Sequence, residues 1–306
     1  MEILKFLQSV RIPFLTDLML AVTDLGDETA FLVAALIMFW CVDKRKGYYI
    51  LSIGFLGTIA NQFMKLLFKI PRPWVLQEGI AVEDAMEGAG GYSFPSGHSQ
   101  SSVGTFGGIA AVTKNKIIKV FCIVVCVLVP FSRMYLGVHT PLDVLVGSGM
   151  AVALIFIMRP LIFAKDGKYI PAVLVVMSLT AVAYLCYVEL FPFPADIDTH
   201  NLTSGTKNAY TLLGALLGFL IVYFVDEKFL HFPVKAVWWA QIIKLLVGLG
   251  LVLAVKEGLK VPLDLLPGEY TGRLVRYFLM VIVAGVVWPL SFRWFAELGI
   301  KSKKGE

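Results

Sequence analysis

Nine apolar stretches separated by short charged breaks run along this chain, and they limit its fold more than any motif does. They cover residues 29–42, 48–68, 97–112, 117–131, 143–159, 170–189, 210–225, 237–255 and 275–292. In hydrocarbon a backbone must satisfy its own hydrogen bonds, and a helix does so within one segment. Several stretches fall short of the roughly 20 residues a straight crossing needs, so their ends are expected to run into the flanking polar residues. Composition agrees: 58% of residues are hydrophobic and 16% charged, against about 45–50% and about 25% in soluble domains. The expected fold is all-α, a polytopic transmembrane helical bundle of about nine spans.

Charge alternates between successive breaks. One set holds Lys44, Arg45 and Lys46, then Lys114, Lys116 and Lys119, then Arg159, Lys165 and Lys168, then Lys228 and Lys235, and lastly Arg293, Lys301, Lys303 and Lys304. The other set holds Glu78, Glu83, Asp84, Glu87, Asp196 and Asp198, with fewer bases. Basic loops stay in the cytoplasm, so the second set is expected to face the outside or a lumen. The start, "MEILKFLQSVRIPFLTDLMLAVTDLGDE", lacks the basic head, unbroken apolar centre and small-residue cleavage site of a signal peptide. Asp17 and Asp24 interrupt it, and residues 1–28 read as an amphipathic or membrane-dipping segment. Cys41, Cys122, Cys126 and Cys186 all lie in apolar runs, which suggests packing rather than disulfides or a metal site. No basic patch suited to nucleic acid is visible.

Three polar groups fall in the outward breaks. In "KLLFKIPRPW", Lys65 and Arg72 offer a point charge and a planar fork, a pair suited to an oxyanion. Snorkelling of interfacial bases is the plainer reading. In "FPSGHS", Ser96 suits an N-cap, Gly97 lets a ligand approach the backbone, and the free N–H groups of a helix start attract anions. His98 then stands where it can exchange a proton, unless it merely follows a cap. In "SRMYLGVHTPLD", Arg133 precedes His139, and Asp143 follows it by four residues, a spacing that lets a carboxylate orient an imidazole. Thr140, Pro141 and Asp143 also read as a helix start, and both readings can hold for Asp143. Span alternation puts all three groups on one side of the membrane.

Lys65 with Arg72-Pro73, then Pro95-Ser96-Gly97-His98, then Ser132-Arg133 with His139 and Asp143, match the pattern K-x6-R-P, P-S-G-H, S-R-x5-H-x3-D at every fixed position. The chain thus resembles the type 2 phosphatidic acid phosphatase (PAP2) family, whose catalytic site is shared with vanadium haloperoxidases, over roughly residues 13–160. The resemblance implies His139 as nucleophile, Asp143 orienting it, and His98 protonating the leaving group and later activating water. It also implies Lys65, Arg72, Ser96, Gly97 and Arg133 as phosphate ligands, with no metal and no cofactor. The expected substrate is a membrane lipid phosphate or diphosphate: phosphatidic acid, phosphatidylglycerol phosphate, a polyprenyl diphosphate or a sphingoid-base phosphate. A lipid phosphotransferase using the same phosphohistidine, or a transporter or binder of phosphorylated lipids, are the alternatives. Haloperoxidases are normally soluble, which nine spans argue against.

The expected organisation is an N-terminal segment (1–28), a PAP2-like catalytic membrane core (29–160) and further transmembrane helices of unknown role (161–306). The expected partners are the bilayer and the lipid substrate, with no nucleic acid, in a multi-pass protein of the cell membrane whose site faces outward or into a lumen. No motif in the C-terminal half points to a family. Gly104 and Gly108, like Gly214 and Gly218, have GxxxG spacing, read as close helix packing, with a dimer face the lesser reading; nothing else supports an oligomer. Lys244, inside an apolar stretch, is read as a shallow, snorkelling lysine rather than a functional one. The loop 196–207 lies on the motif side and is a candidate cover for the pocket.

Overall fold

Apolar runs this long fold as helices, and no strand occurs among the described residues, which in this computed structural model are 1–302. Lys303 and Lys304 of the basic tail lie outside them, as does the side chain of Lys301. In chain order the helices are α1 (Glu2–Ser9), α2 (Pro13–Thr23), α3 (Glu28–Ile37), α4 (Lys44–Phe68), α5 (Pro73–Leu76), α6 (Glu83–Glu87), α7 (Gly97–Ser102) and α8 (Gly108–Val112). There follow α9 (Lys116–Tyr135), α10 (Pro141–Ile162), α11 (Ile170–Leu190), α12 (Thr199–Val225), α13 (Trp238–Gly258), α14 (Lys260–Leu263), α15 (Thr271–Ile282) and α16 (Phe292–Ser302). Among the described residues, 7 helices are long and apolar enough to cross a membrane. Pro13–Gly26 and Glu28–Val42, bent by 53° at Asp27, make an eighth if taken as one broken span. The stretch 97–112 is helical throughout, with a π-helical turn over Val103–Gly107, but falls short of about 20 residues.

The chain forms two compact units. The first comprises Met1–Ala34, Tyr49–Pro160 and Phe191–Gly205. Here α9 starts on Asn115, whose side chain accepts from the Ile117 and Ile118 N–H groups. It ends at Gly137, at φ +77, where the Gly137 N–H reaches Met134 O and the Val138 N–H reaches Arg133 O. This left-handed C-terminal cap turns the chain sharply and delivers His139 just ahead of α10. Tyr135, Leu136 and Val138 are buried against Leu7, Met19, Ala85 and Ala89. Arg11 ties the N-terminal segment to this corner by donating to Tyr135 O and Ile80 O, both at 2.8 Å. A second cluster joins Phe106 and Ala110 to Cys122, Val125 and Val129, so Cys122 serves packing, and all four cysteines are free.

The second unit comprises Ala35–Tyr48, Leu161–Leu190 and the residues from Thr206 onward. Gly214 and Gly218 let α12 meet α15 backbone to backbone, a Cβ at Gly214 running into Leu274 O. The spacing read as packing therefore serves packing within this chain. Lys44 pairs with Asp226 at 2.6 Å, and Phe232 N–H adds a bond to the same carboxylate. Lys244 does not snorkel. It is 1% exposed and donates to Trp40 O (2.7 Å) and Val234 O (2.9 Å), with the Phe292 ring 4.4 Å from its ammonium. Two carbonyls and a ring face replace the water that a shallow lysine would reach.

Candidate active site

All eight motif side chains and backbone positions expected to carry chemistry lie in the first unit. Lys65, in the last turn of α4, is buried and donates to Tyr92 O. Arg72, just before α5, spends its guanidinium on four acceptors: Gly91 O (2.9 Å), Gly90 O (2.6 Å), Val138 O (3.1 Å) and His139 Nε2 (2.8 Å). Ser96 caps α7, its Oγ accepting from Ser99 Oγ at 2.9 Å, and its N–H donates to Asp143 O at 2.9 Å. That approach of the "PSGH" loop to α10 depends on Gly147, whose Cβ would collide with Ser96 O. Gly97 opens α7, with Asn61 Oδ1 at 3.7 Å from where a Cβ would be.

Arginine only donates, so the Arg72 contact makes Nε2 the lone-pair nitrogen of His139 and leaves the ring proton on Nδ1. Nδ1 faces Asp143 Oδ2 at 3.6 Å, longer than a hydrogen bond. The reason is competition: Oδ2 already accepts from Ser93 Oγ and from Thr140 N–H, both at 2.7 Å. Asp143 N–H in turn donates to Thr140 Oγ1 at 3.3 Å. Asp143 therefore closes a reciprocal helix cap and also faces the imidazole, as both sequence readings allowed. Burial first, then the Arg72, Arg133 and Lys65 charges, hold His139 well below the ordinary histidine value, so its imidazole is neutral near neutral pH.

Arg133 is 1% exposed and donates from Nη1 to Thr23 Oγ1 at 2.7 Å. Its Nε–H and Nη2–H groups are buried with no partner among the described residues. Buried donors of this kind call for an acceptor from outside. His98 meets Asp27 through Nε2 at 2.8 Å. Thr23 and Asp27 bracket the tight turn where α2 breaks into α3, so one turn holds Arg133 at one end and His98 at the other. Sequence reading missed Thr23, Asp27 and Ser93. The signal for the first two was the acidic "TDLGD" inside an apolar segment; Ser93 had none. Residues 191–205, which include most of the loop 196–207, belong to this unit.

Three buried cations, two unspent guanidinium nitrogens and a neutral imidazole with a defined lone pair offer the charge and donors that a compact oxyanion requires. The model of the PAP2 superfamily matches residues 45–166, which contain every motif residue. Phosphatidylglycerophosphatase B of Bacillus subtilis (strain 168) is 30% identical over 164 residues, covering 49% of this chain and 76% of that protein. The chain belongs to the PAP2 superfamily. Undecaprenyl-diphosphatase of Sulfolobus acidocaldarius is 30% identical over 153 residues, 48% of this chain and 70% of that one. Sphingosine-1-phosphate phosphatase 1 of Rattus norvegicus is 26% identical over 168 residues, 51% of this chain but 38% of its own length. Residues 210–303, where no motif had pointed to a family, match the transmembrane extension of PAP2 superfamily phosphatases. No solved structure matches. The chain is thus a multi-pass membrane protein of a lipid phosphatase family.

Proposed function

We propose that this PAP2 protein hydrolyses a lipid phosphate or diphosphate through a phosphohistidine on His139, without a metal, on the non-cytoplasmic face of the cell membrane. The observation that carries the reading is the pairing of a neutral His139, lone pair on Nε2, with the unspent buried N–H groups of Arg133. Binding alone would need the cations but not the nucleophile. Arg72 donates to the Nε2 lone pair; an arriving phosphoryl oxygen takes over that N–H and frees the nitrogen. Nε2 then attacks phosphorus, and the bond to the leaving oxygen breaks as protonated His98 gives it a proton. Asp143 stabilises the positive charge that develops on the His139 ring. Neutral His98 next takes a proton from water, the hydroxide attacks phosphorus, and the N–P bond breaks to release phosphate and restore His139.

Negative charge on the transferring group is spread over three oxygens, so positioning and fixed positive charge supply most of the catalysis. Lys65, Arg72 and Arg133, with Ser96 and the Gly97 N–H, fill that role. The same dianion favours the protonated form of His98 before the first step. The relatives are named for phosphatidylglycerophosphate, undecaprenyl diphosphate and sphingosine 1-phosphate, and with phosphatidic acid these form the substrate panel. The outward placement rests on the basic breaks at residues 44–46, 114–119 and 159–168.

The test is phosphate release from that panel by detergent-purified protein in EDTA, beside His139→Ala. Release that persists in EDTA and falls at least about 10³-fold in the variant supports the reading. Release abolished by EDTA refutes the metal-free mechanism, and phosphate appearing on an added alcohol instead of in water makes the protein a phosphotransferase.

A further inference from the structure

Arg276 is a buried cation that the reaction above does not use. It sits on α15, within the span Thr271–Leu298, and is 7% exposed. Its Nε–H is buried without a hydrogen-bond partner, and it pairs with no carboxylate among the described residues. One turn earlier, Arg273 donates from Nε to Thr211 Oγ1 on α12 at 2.6 Å. The two guanidinium carbons stand 5.5 and 5.8 Å from the Tyr277 ring centre, which softens the charge but does not neutralise it. An unpaired guanidinium inside a membrane span is among the least favourable arrangements a bilayer protein can hold. The cost disappears when an anion arrives from outside the chain.

Two further observations bear on what that anion is. The break before α15 carries Lys256, Lys260 and Arg273 against Glu257, Asp264 and Glu269, and Arg276 adds a further cation just inside the span. The segment leading into α15 also exposes apolar side chains, Val261 at 73% and Leu265 at 84%, beside the backbone contact that Gly272 makes with Leu263. Planar forks match phosphate oxygens in pairs, and apolar side chains at their rim match acyl chains. We propose that Arg273 and Arg276, one turn apart on α15 of the transmembrane extension, form a binding site for the phosphate group of an anionic membrane lipid. The inference does not depend on the hydrolytic reading, since its readout is binding.

The test follows the melting temperature of the full-length protein in neutral detergent with phosphatidylcholine, phosphatidylglycerol or inorganic phosphate added. Phosphatidylglycerol carries a phosphodiester, so a monoester phosphatase does not consume it. Wild type is expected to gain about 4 °C or more with phosphatidylglycerol over phosphatidylcholine. Arg276→Met, which replaces the unpaired charge by an apolar chain of similar length, should melt no lower than wild type without anionic lipid and lose most of the gain. Arg273→Gln should lose most of it too. An equal gain in wild type and Arg273→Gln, or a lipid-free Arg276→Met that fails to fold, shows that the cation has a partner within the chain and overturns the proposal. An equal gain from inorganic phosphate replaces the lipid with the free anion and overturns the lipid assignment.

Discussion

Asp27→Asn removes the charge that faces His98 while keeping the shape of the turn. Asp27 bonds His98 Nε2 at 2.8 Å with a side chain 48% exposed. A buried hydrogen bond to a charged group contributes about 1.5–3 kcal/mol and an exposed ion pair about 0–1 kcal/mol. Half-exposure puts this contact near 1 kcal/mol, and at 1.4 kcal/mol per factor of ten the loss is about fivefold. The loss should depend on the leaving group. With Nε2 held by Asp27, Nδ1 is the nitrogen left to protonate the departing oxygen. The assay is kcat/KM, which ends at the first irreversible step, for dioctanoyl phosphatidate and for 4-nitrophenyl phosphate. The alkoxide of the first needs the proton and the phenoxide of the second barely does, so the expected drops are about fivefold and under about twofold. The alkaline limb of the phosphatidate profile should move to lower pH, since Arg72, Arg133 and His139 also face His98 and disfavour its cationic form once the carboxylate is gone. Equal drops for both substrates would mean that Asp27 serves only the fold, and no drop would mean that the contact is idle.

Three other outcomes follow from the structure. Gly214→Val drives side-chain atoms into the Leu274 backbone, which cannot yield as a side chain would, and should cost about 1–3 kcal/mol, read as a lowered melting temperature. His139 is held neutral in the fold, so the unfolded chain binds more protons below about pH 6.5. Its contribution to stability is complete above that value and declines as pH falls toward the lowered folded value; melting at pH 7.5 and 5.5 should show a smaller acid loss in His139→Asn than in wild type. Lys244→Met strands Trp40 O, while Val234 O keeps the bond from Gln241 Nε2 at 2.9 Å, and should lower the melting temperature through a loss of about 1–3 kcal/mol of stability. Unlike Arg276→Met, this variant removes a satisfied cation, so in lipid-free detergent it should melt below wild type while Arg276→Met does not.

Local spacing made much of the site legible. A histidine and an aspartate four residues apart at a helix entry must lie on one face, and Ser96 ahead of an apolar run must start a helix; both are decided by backbone geometry that the chain carries with it. The contacts that escaped the reading join residues far apart in sequence, Arg133 to Thr23 across 110 positions and Asp27 to His98 across 71. Nothing local distinguishes a carboxylate facing a catalytic histidine from one facing water. Lys244 was misjudged for the same reason, because its partners are carbonyls on other elements, and carbonyls exist at every position.

By itself the sequence determined that this chain lives in a membrane, that its elements are helices, and which side chains match the family's motifs, because hydropathy, span length and motif spacing are local quantities. Tertiary structure alone decided that Nε2 of His139 bears the lone pair, that the broken helix at Asp27 holds His98, and that among the described residues Arg133 keeps two donors unspent and Arg276 stands buried without a counter-charge. Each of these is a matter of which atoms from distant segments share a few ångströms, and that distance is set only when the helices pack.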